Sequence, residues 1–381
     1  MTTASAAPVD VAPSPTAVPE HERVWLDRVA ALLPELAATV AQDDRDARIP
    51  LEHLEALHAT GLDAAFLPRE HGGEALSYAT LVAVVRMIAT AHPSAATLWL
   101  MHLGAAHALV TLSAPEQATF FASELARGAR FSNALSEPGG GNLFLTSQTD
   151  APATDAGWSF TGRKMFITGS EVATHFFMNA RVDGHRGFFG VTVDDTVSFP
   201  PIDETSGMRA TRSRGVAFAA TPLLKERLCA PPAPTYANLI TVGFAFISIG
   251  IAEAALAQLK ASATKPKPGA TATLADAEWV RMETGMAWAE VEAAKALAER
   301  AAWLADQGDE AWIQASTTAK MLANEVAKRT AALMVRVAGG GGYLVKSPVQ
   351  RIQRDAQAGA LMAYSVPFSQ GLVGGWFLDE A

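Results

Sequence analysis

The sequence predicts an α+β chain in three parts: an N-terminal helical domain, a middle β domain, and a C-terminal domain of four-helix-bundle type. Three observations carry this. Up to Arg127, apolar residues recur at three- and four-residue steps. From about Gly128 to Leu228 the pattern changes to short alternating runs punctuated by Gly and Pro. After Pro231-Pro232-Ala233-Pro234 it returns to long Ala-rich helical runs. Helices do not alternate with single strands, so a doubly wound parallel sheet is not expected. No repeat of fixed period appears.

In order, residues 1–19 are rich in Ala, Pro, Thr and Ser and are expected to be a disordered tail. Residues 20–127 form the helical domain. Val24, Leu26, Val29, Leu32, Leu33 and Leu36 lie on one helix face. Pro50 opens the next helix, with Leu51, Leu54 and Leu57 together, and Gly61 ends it. Leu67 to Gly73 is a loop. Helices over Tyr78–His92 and Ser94–Thr111 follow, separated by Pro93, with Ser94 as expected cap. Pro115 opens a helix to Arg127. Residues 128–230 form the β domain. Within it, Gly157 to Thr168 reads as two strands joined at a Thr161-Gly162 turn. Residues 231–381 hold helices over Tyr236–Ala263, Asp276–Gln307 and Glu310–Val337, with Lys265–Gly269 as a loop. A last helix begins near Ser347, and residues 366–381 are expected to be a tail or a short turn.

The 381 residues are 49% hydrophobic, which is ample for a large core. The net charge is -9 and no basic block stands out, which disfavours nucleic acid or an anionic membrane as partner. The single Cys229 excludes an internal disulfide and a cysteine metal cluster. Leu239 to Ala257 is broken by Thr241, Ser248 and Glu253, so no run is expected to cross a membrane. The first residues lack the basic start and apolar middle of a secretory signal, which points to the cytoplasm.

One stretch is unusual: Ser136-Glu137-Pro138-Gly139-Gly140-Gly141-Asn142, followed by Gly162-Arg163-Lys164-Met165-Phe166-Ile167-Thr168. Three glycines after a proline make a turn whose backbone can approach a flat or anionic group closely. A cofactor loop and a plain turn both satisfy this. Further on come Gly207-Met208-Arg209-Ala210-Thr211-Arg212-Ser213, then Gly339 to Tyr343, then Arg354-Asp355-Ala356. These four blocks, in this order, resemble those of the acyl-CoA dehydrogenase family. The resemblance implies a helical domain, a middle β-barrel domain and a helical bundle, and an FAD-dependent oxidoreductase acting on an acyl substrate such as an acyl-CoA.

It also implies site residues. Leu135 and Ser136 would bind the polar edge of the flavin, and Phe166 and Thr168 would cover and hydrogen-bond its ring system. Gly141 and Asn142 would lie by its phosphates, and Ser365 would keep a hydroxyl contact. Gly339 and Gly340 would meet the adenine-diphosphate half of a flavin bound to a neighbouring copy, which implies a homo-oligomer, dimer or tetramer, and Arg281 would contact the pyrophosphate. Electrons would pass to an accepting partner or to oxygen.

No catalytic residue follows. Family members commonly carry a Glu seven residues after the Arg-Asp-Ala triplet; here that position is Ala363. The first helix of the third domain, which carries the Glu in other members, reads Tyr236-Ala237-Asn238-Leu239-Ile240-Thr241. No histidine follows His185, so the C-terminal histidine of oxygen-activating relatives is missing too. His92, His102 and Tyr364 remain, beside helix carboxylates such as Glu253, Glu283, Glu290 and Glu292. Three functions stay open: acyl thioester dehydrogenation, flavin-dependent monooxygenation on the same scaffold, and a non-catalytic subunit that binds an acyl group or a partner.

Overall fold

A computed structural model describes residues 16–201, 204–266 and 271–379. Most of the expected tail, and residues 267–269 of the expected loop, lie outside these. The helical domain holds α1 (Arg23–Asp46), α2 (Leu51–Ala59), α3 (Leu62–Ala65), α4 (Tyr78–Ala91), α5 (Pro93–Leu112) and α6 (Pro115–Ala126). Pro93 and Pro115 each occupy a first helical turn, where a missing N–H costs nothing. The cap of α5 is His92, not Ser94. Its ring Nδ1 accepts the Ala95 amide at 3.3 Å, while Ser94 is already inside the helix.

The middle strands are β1 (Phe131–Ala134), β2 (Ala153–Thr154), β3 (Gly157–Ile167), β4 (His175–Val182), β5 (His185–Thr192), β6 (Val197–Ser198) and β7 (Arg214–Leu224). They form two sheets, ordered β1-β4-β5 and β2-β3-β7-β6. Phe160, Phe176, Phe189 and Phe218 fill the layer between them. The two strands expected around Thr161-Gly162 are one: β3 runs straight through and pairs with β7 on both sides. A register shift between Phe160 and Gly162 accommodates the glycine, and Thr161 Oγ1 accepts the Ala220 amide at 2.9 Å.

The third part holds α7 (Leu239–Ala263), α8 (Glu278–Asp306), α9 (Trp312–Gly342), α10 (Pro348–Ala358) and α11 (Val366–Asp379). Asn238 caps α7 through the amides of Ile240 and Thr241. The four glycines are not a loop. Helix α9 continues through them with one break at Gly339, where φ is 62° and ψ is -152°. Gly342 then packs on Val349, and Gln350 Nε2 donates to the Gly342 carbonyl at 2.7 Å. The expected terminal tail is instead the 14-residue α11, with Pro367 in its first turn.

Contrary to the sequence reading, α5 and α7 are long and apolar enough to cross a membrane by length and composition. Both are inner helices here, 78% and 72% buried across those windows. Two glycines let them meet: Ile240 packs into Gly104, and Leu100 packs into Gly243.

Candidate functional site

Apart from Gly339 to Tyr343, the sequence blocks, far apart along the chain, converge on one wall. Ser136 accepts the Met165 amide at 2.8 Å, fixing the glycine loop to β3. Beneath it, Lys164 is fully buried and donates to Glu137 at 2.7 Å and to Asn179 at 2.8 Å. Burial alone would raise the Glu137 carboxyl pKa, but Lys164 and Ser147 hold it below the ordinary range. This buried network sets where the loop backbone lies.

Thr168 continues the wall. Its carbonyl accepts the Ser132 hydroxyl at 2.8 Å, and its own hydroxyl lies 3.0 Å from Ser213 Oγ. Ser213 in turn lies 2.9 Å from Thr211 Oγ1. Gly207 meets Arg354: a Cβ on Gly207 would come within 2.3 Å of the Arg354 carbonyl oxygen. Asp355 accepts the Met208 amide at 2.7 Å. The glycine loop closes against the chain end, where the Ser365 amide donates to Asn142 Oδ1 at 2.8 Å and the Tyr364 ring sits between Phe144 and Phe368.

Between these supports stands Phe166. It is 66% exposed and holds a left-handed φ of 56°, which few aromatic residues adopt. Strain of this kind is retained where a side chain must be presented in a fixed direction. Among the described residues the Ser136 hydroxyl has no hydrogen-bond partner. Gly139 and Gly141 have φ of 76° and 52°, and nothing lies within 4 Å of where a Cβ would stand. An exposed aromatic face, hydroxyls beside it and an open glycine cradle suit a flat, polar-edged ring carrying phosphates.

The expected site residues fall into two groups. Leu135, Ser136, Gly141, Asn142, Phe166, Thr168 and Ser365 belong to this wall. Arg281, Gly339 and Gly340 stand at one end of the bundle, where Arg336 links α9 to Glu283 and covers Trp279 on α8. Arg281 is turned to the Ala275 carbonyl and Asp276, and open space surrounds Gly339 and Gly340. Among the described residues, no hydrogen bond or ion pair joins the two groups.

The candidate catalytic side chains are tied elsewhere. His92 Nε2 lies 3.2 Å from Asp43, and His102 Nε2 lies 3.4 Å from Asp63. Glu253 holds Arg86, Glu283 holds Arg336, Glu290 holds Arg329 and Glu292 holds Lys295. Glu171 is held by Arg212 and Arg214. Cys229 is buried, with its thiol pushed up to about 11 by burial, which keeps it unreactive. Sequence reading missed Lys320. It is buried and pushed down to about 8 by desolvation, and it donates to the carbonyls of Gly359 and Tyr364 at 3.2 and 2.9 Å. It therefore clamps the segment that carries Ala363, whose φ is 53°. A lysine in an Ala-rich helix gives no sequence signal of this role.

Three models of one family match the chain. The acyl-CoA dehydrogenase N-terminal domain matches residues 19–129, the middle domain 132–221 and the C-terminal domain 240–363. A probable acyl-CoA dehydrogenase of Mycobacterium tuberculosis, FadE25, is 26% identical over 353 residues, covering 89% of this chain and 90% of that protein. Butyryl-CoA dehydrogenase from Megasphaera elsdenii superposes with a TM-score of 0.87 at 21% identity, over 95% of this chain and 99% of that one. Dibenzothiophene monooxygenase TdsC from Paenibacillus sp. A11-2 superposes with a TM-score of 0.82 at 20% identity, over 94% and 98%.

Proposed function

The chain belongs to the acyl-CoA dehydrogenase family, and on that premise we propose that it is an FAD-dependent oxidoreductase acting on the CH–CH bond of an acyl thioester. The observation that carries the flavin is the Ser136–Phe166–Thr168 wall, with an unpartnered hydroxyl beside a strained, exposed aromatic ring. When bound, FAD supplies the acceptor for a hydride leaving the substrate. This chain's residues bind and orient. The amides of Leu135 and Ser136 and the Ser136 hydroxyl hold the polar ring edge, Phe166 covers one face, and Thr168 donates from beside it. Gly141, Asn142 and Ser365 line the way to the phosphates. Arg281, Gly339 and Gly340 act toward the flavin of a second copy, so the working form is a homodimer or a pair of dimers.

A second reading, flavin-dependent monooxygenation, is favoured by one observation. Ala363 stands where a carboxylate would take the α proton, and the nearby Glu137 and Glu171 are occupied by Lys164 and by Arg212 and Arg214. A positioned base contributes on the order of 10²–10⁴-fold. The test starts with titration of FAD into the flavin-free protein, followed by anaerobic addition of a panel of acyl-CoAs to wild type and Ala363→Glu. Bleaching that appears or rises in Ala363→Glu supports the thioester reading with a missing base. Rapid bleaching of the wild type shows that another residue is the base. With flavin bound, no bleaching in either form, together with oxygen uptake in the presence of a flavin reductase, turns the assignment to the monooxygenase. No spectral shift with FAD removes the flavin reading.

A further inference from the structure

Apart from the wall around Phe166, Arg130 is a buried cation whose nearest carboxylate, Asp63, stands outside hydrogen-bond range. Arg130 precedes β1, and its side chain is only 9% exposed. Among the described residues its guanidinium donates no hydrogen bond, and Nη1 is sealed from solvent. A guanidinium carries five N–H donors and keeps its charge, so burying it without hydrogen-bond acceptors is costly.

Asp63 stands 3.8 Å from Nη1, beyond hydrogen-bond range. Its oxygens are already occupied. Oδ1 accepts Trp99 Nε1 at 2.8 Å; Oδ2 faces His58 Nδ1 at 3.1 Å and His102 Nε2 at 3.4 Å. The His102 tautomer follows from its other nitrogen: Nδ1 accepts the Phe131 amide at 3.0 Å, so Nε2 carries the hydrogen and donates to Asp63. Asp63 supplies charge to Arg130 but no acceptor.

Arg130 lines a cavity of about 430 Å³ between α2, the turn after α6 and the segment after β3, together with His58, Arg127, Gly128, Thr174 and Glu55. Gly128 holds φ of 87°, and a Cβ there would lie 3.5 Å from His58 Nε2, which keeps the wall thin at that point. With Nδ1 turned to Asp63, Nε2 is the remaining polar ring atom of His58. Arg127 is 72% exposed and touches Glu124 at 2.8 Å, so it can turn toward a ligand. Thr174 accepts the Arg130 amide at 3.2 Å and donates to the Arg130 carbonyl at 3.1 Å, pinning the backbone that aims the guanidinium. Glu55 is the one carboxylate among these lining residues and is exposed.

We propose that this cavity binds a small oxyanion, a phosphate- or carboxylate-type group, with Arg130 as its deep cation and Arg127 at its mouth. Guanidinium geometry matches two oxygens of such a group at once. The ligand ties α2 to the roots of β1 and of the segment after Thr168, the two elements that frame the flavin wall. The site is independent of the flavin reading and is tested without it.

The experiment is calorimetric titration of the full chain with inorganic phosphate, methyl phosphate and acetate, at ionic strength held constant with chloride. Saturable binding of at least one is expected. Arg127→Gln, at an exposed position that leaves folding intact, should weaken it several-fold, and Arg130→Lys by about ten-fold or more. Glu55→Gln should tighten it by removing a like charge at the rim. Stronger binding of methyl phosphate assigns the group to a larger molecule, stronger phosphate binding to the free ion, and stronger acetate binding to a carboxylate. The proposal is overturned if none of the three binds saturably, or if Arg127→Gln and a folded Arg130→Lys bind as tightly as wild type.

Discussion

Asn142 Oδ1 accepts the backbone amide of Ser365 at 2.8 Å across 223 residues of chain. One hydrogen bond thus joins the end of the glycine loop to the last turn before α11. It closes a ring of contacts in which Ser136 holds β3, Thr168 holds Ser213, and Asp355 holds Met208. The wall around Phe166 is the inside of that ring.

Phe166 is exposed and makes no aromatic contact among the described residues, so Phe166→Ala should change thermal stability little, within about 0.5 kcal/mol. The same change should weaken FAD binding clearly, because the ring face has no substitute. Ser136→Ala should weaken it several-fold, for a loss of about 1 kcal/mol. Paired melting and flavin-titration curves check both. A large stability loss with unchanged FAD affinity would make Phe166 a structural residue.

Lys164→Met leaves the Glu137 carboxylate buried without its cation. A broken buried pair costs about 3–5 kcal/mol. Replacing both, as Glu137→Gln with Lys164→Met, should cost less than Lys164→Met alone. Urea denaturation of the three proteins decides this, and equal losses in the single and double variants would mean the pair is uncoupled.

His107 is half-buried on α5, stacked on Tyr236, and burial pushes it down to about 4. Its ordinary value is about 6.5. Between those values the unfolded chain binds the proton and the folded chain does not. Stability from this group is therefore complete above about pH 6.5 and is lost as pH falls toward about 4. His107→Gln should flatten the stability–pH curve in that window and leave the shape above pH 7 unchanged. A curve of identical slope in both proteins would show that His107 does not titrate there.

Gly340 meets no atom within 4 Å of an added Cβ, and its φ is not left-handed. Gly340→Val therefore fits a single chain. Weaker association or looser FAD in that variant, read by light scattering and flavin occupancy, would place a second copy against this surface. Monomeric wild type with full flavin occupancy would contradict the shared site. Gly339, at φ 62°, is a separate case, since any side chain there is strained.

The sequence by itself determined the class and order of the parts, because helical spacing, alternation and Gly/Pro punctuation are local signals. It also located the glycine loop, where Gly139 and Gly141 hold left-handed φ, and the Gly207–Ser213 turn, where Gly207 lets the Arg354 carbonyl approach. It misjudged elements that depend on distant partners. Helix α11 has Pro367 and Gly374-Gly375, weak local formers, and it forms docked beside α9 with Val366 and Ser369 buried. Helix α9 outlasts its glycines because α10 holds Gly342. His102 stood among the remaining catalytic candidates, with no partner legible in the sequence; only folding brings Asp63 and the Phe131 amide to its two nitrogens. Arg130 gave no signal at all, since a charge reads as solvated until tertiary packing closes over it. Spacing along a chain encodes which face a residue takes, and the partner that meets that face is decided by contacts many residues away.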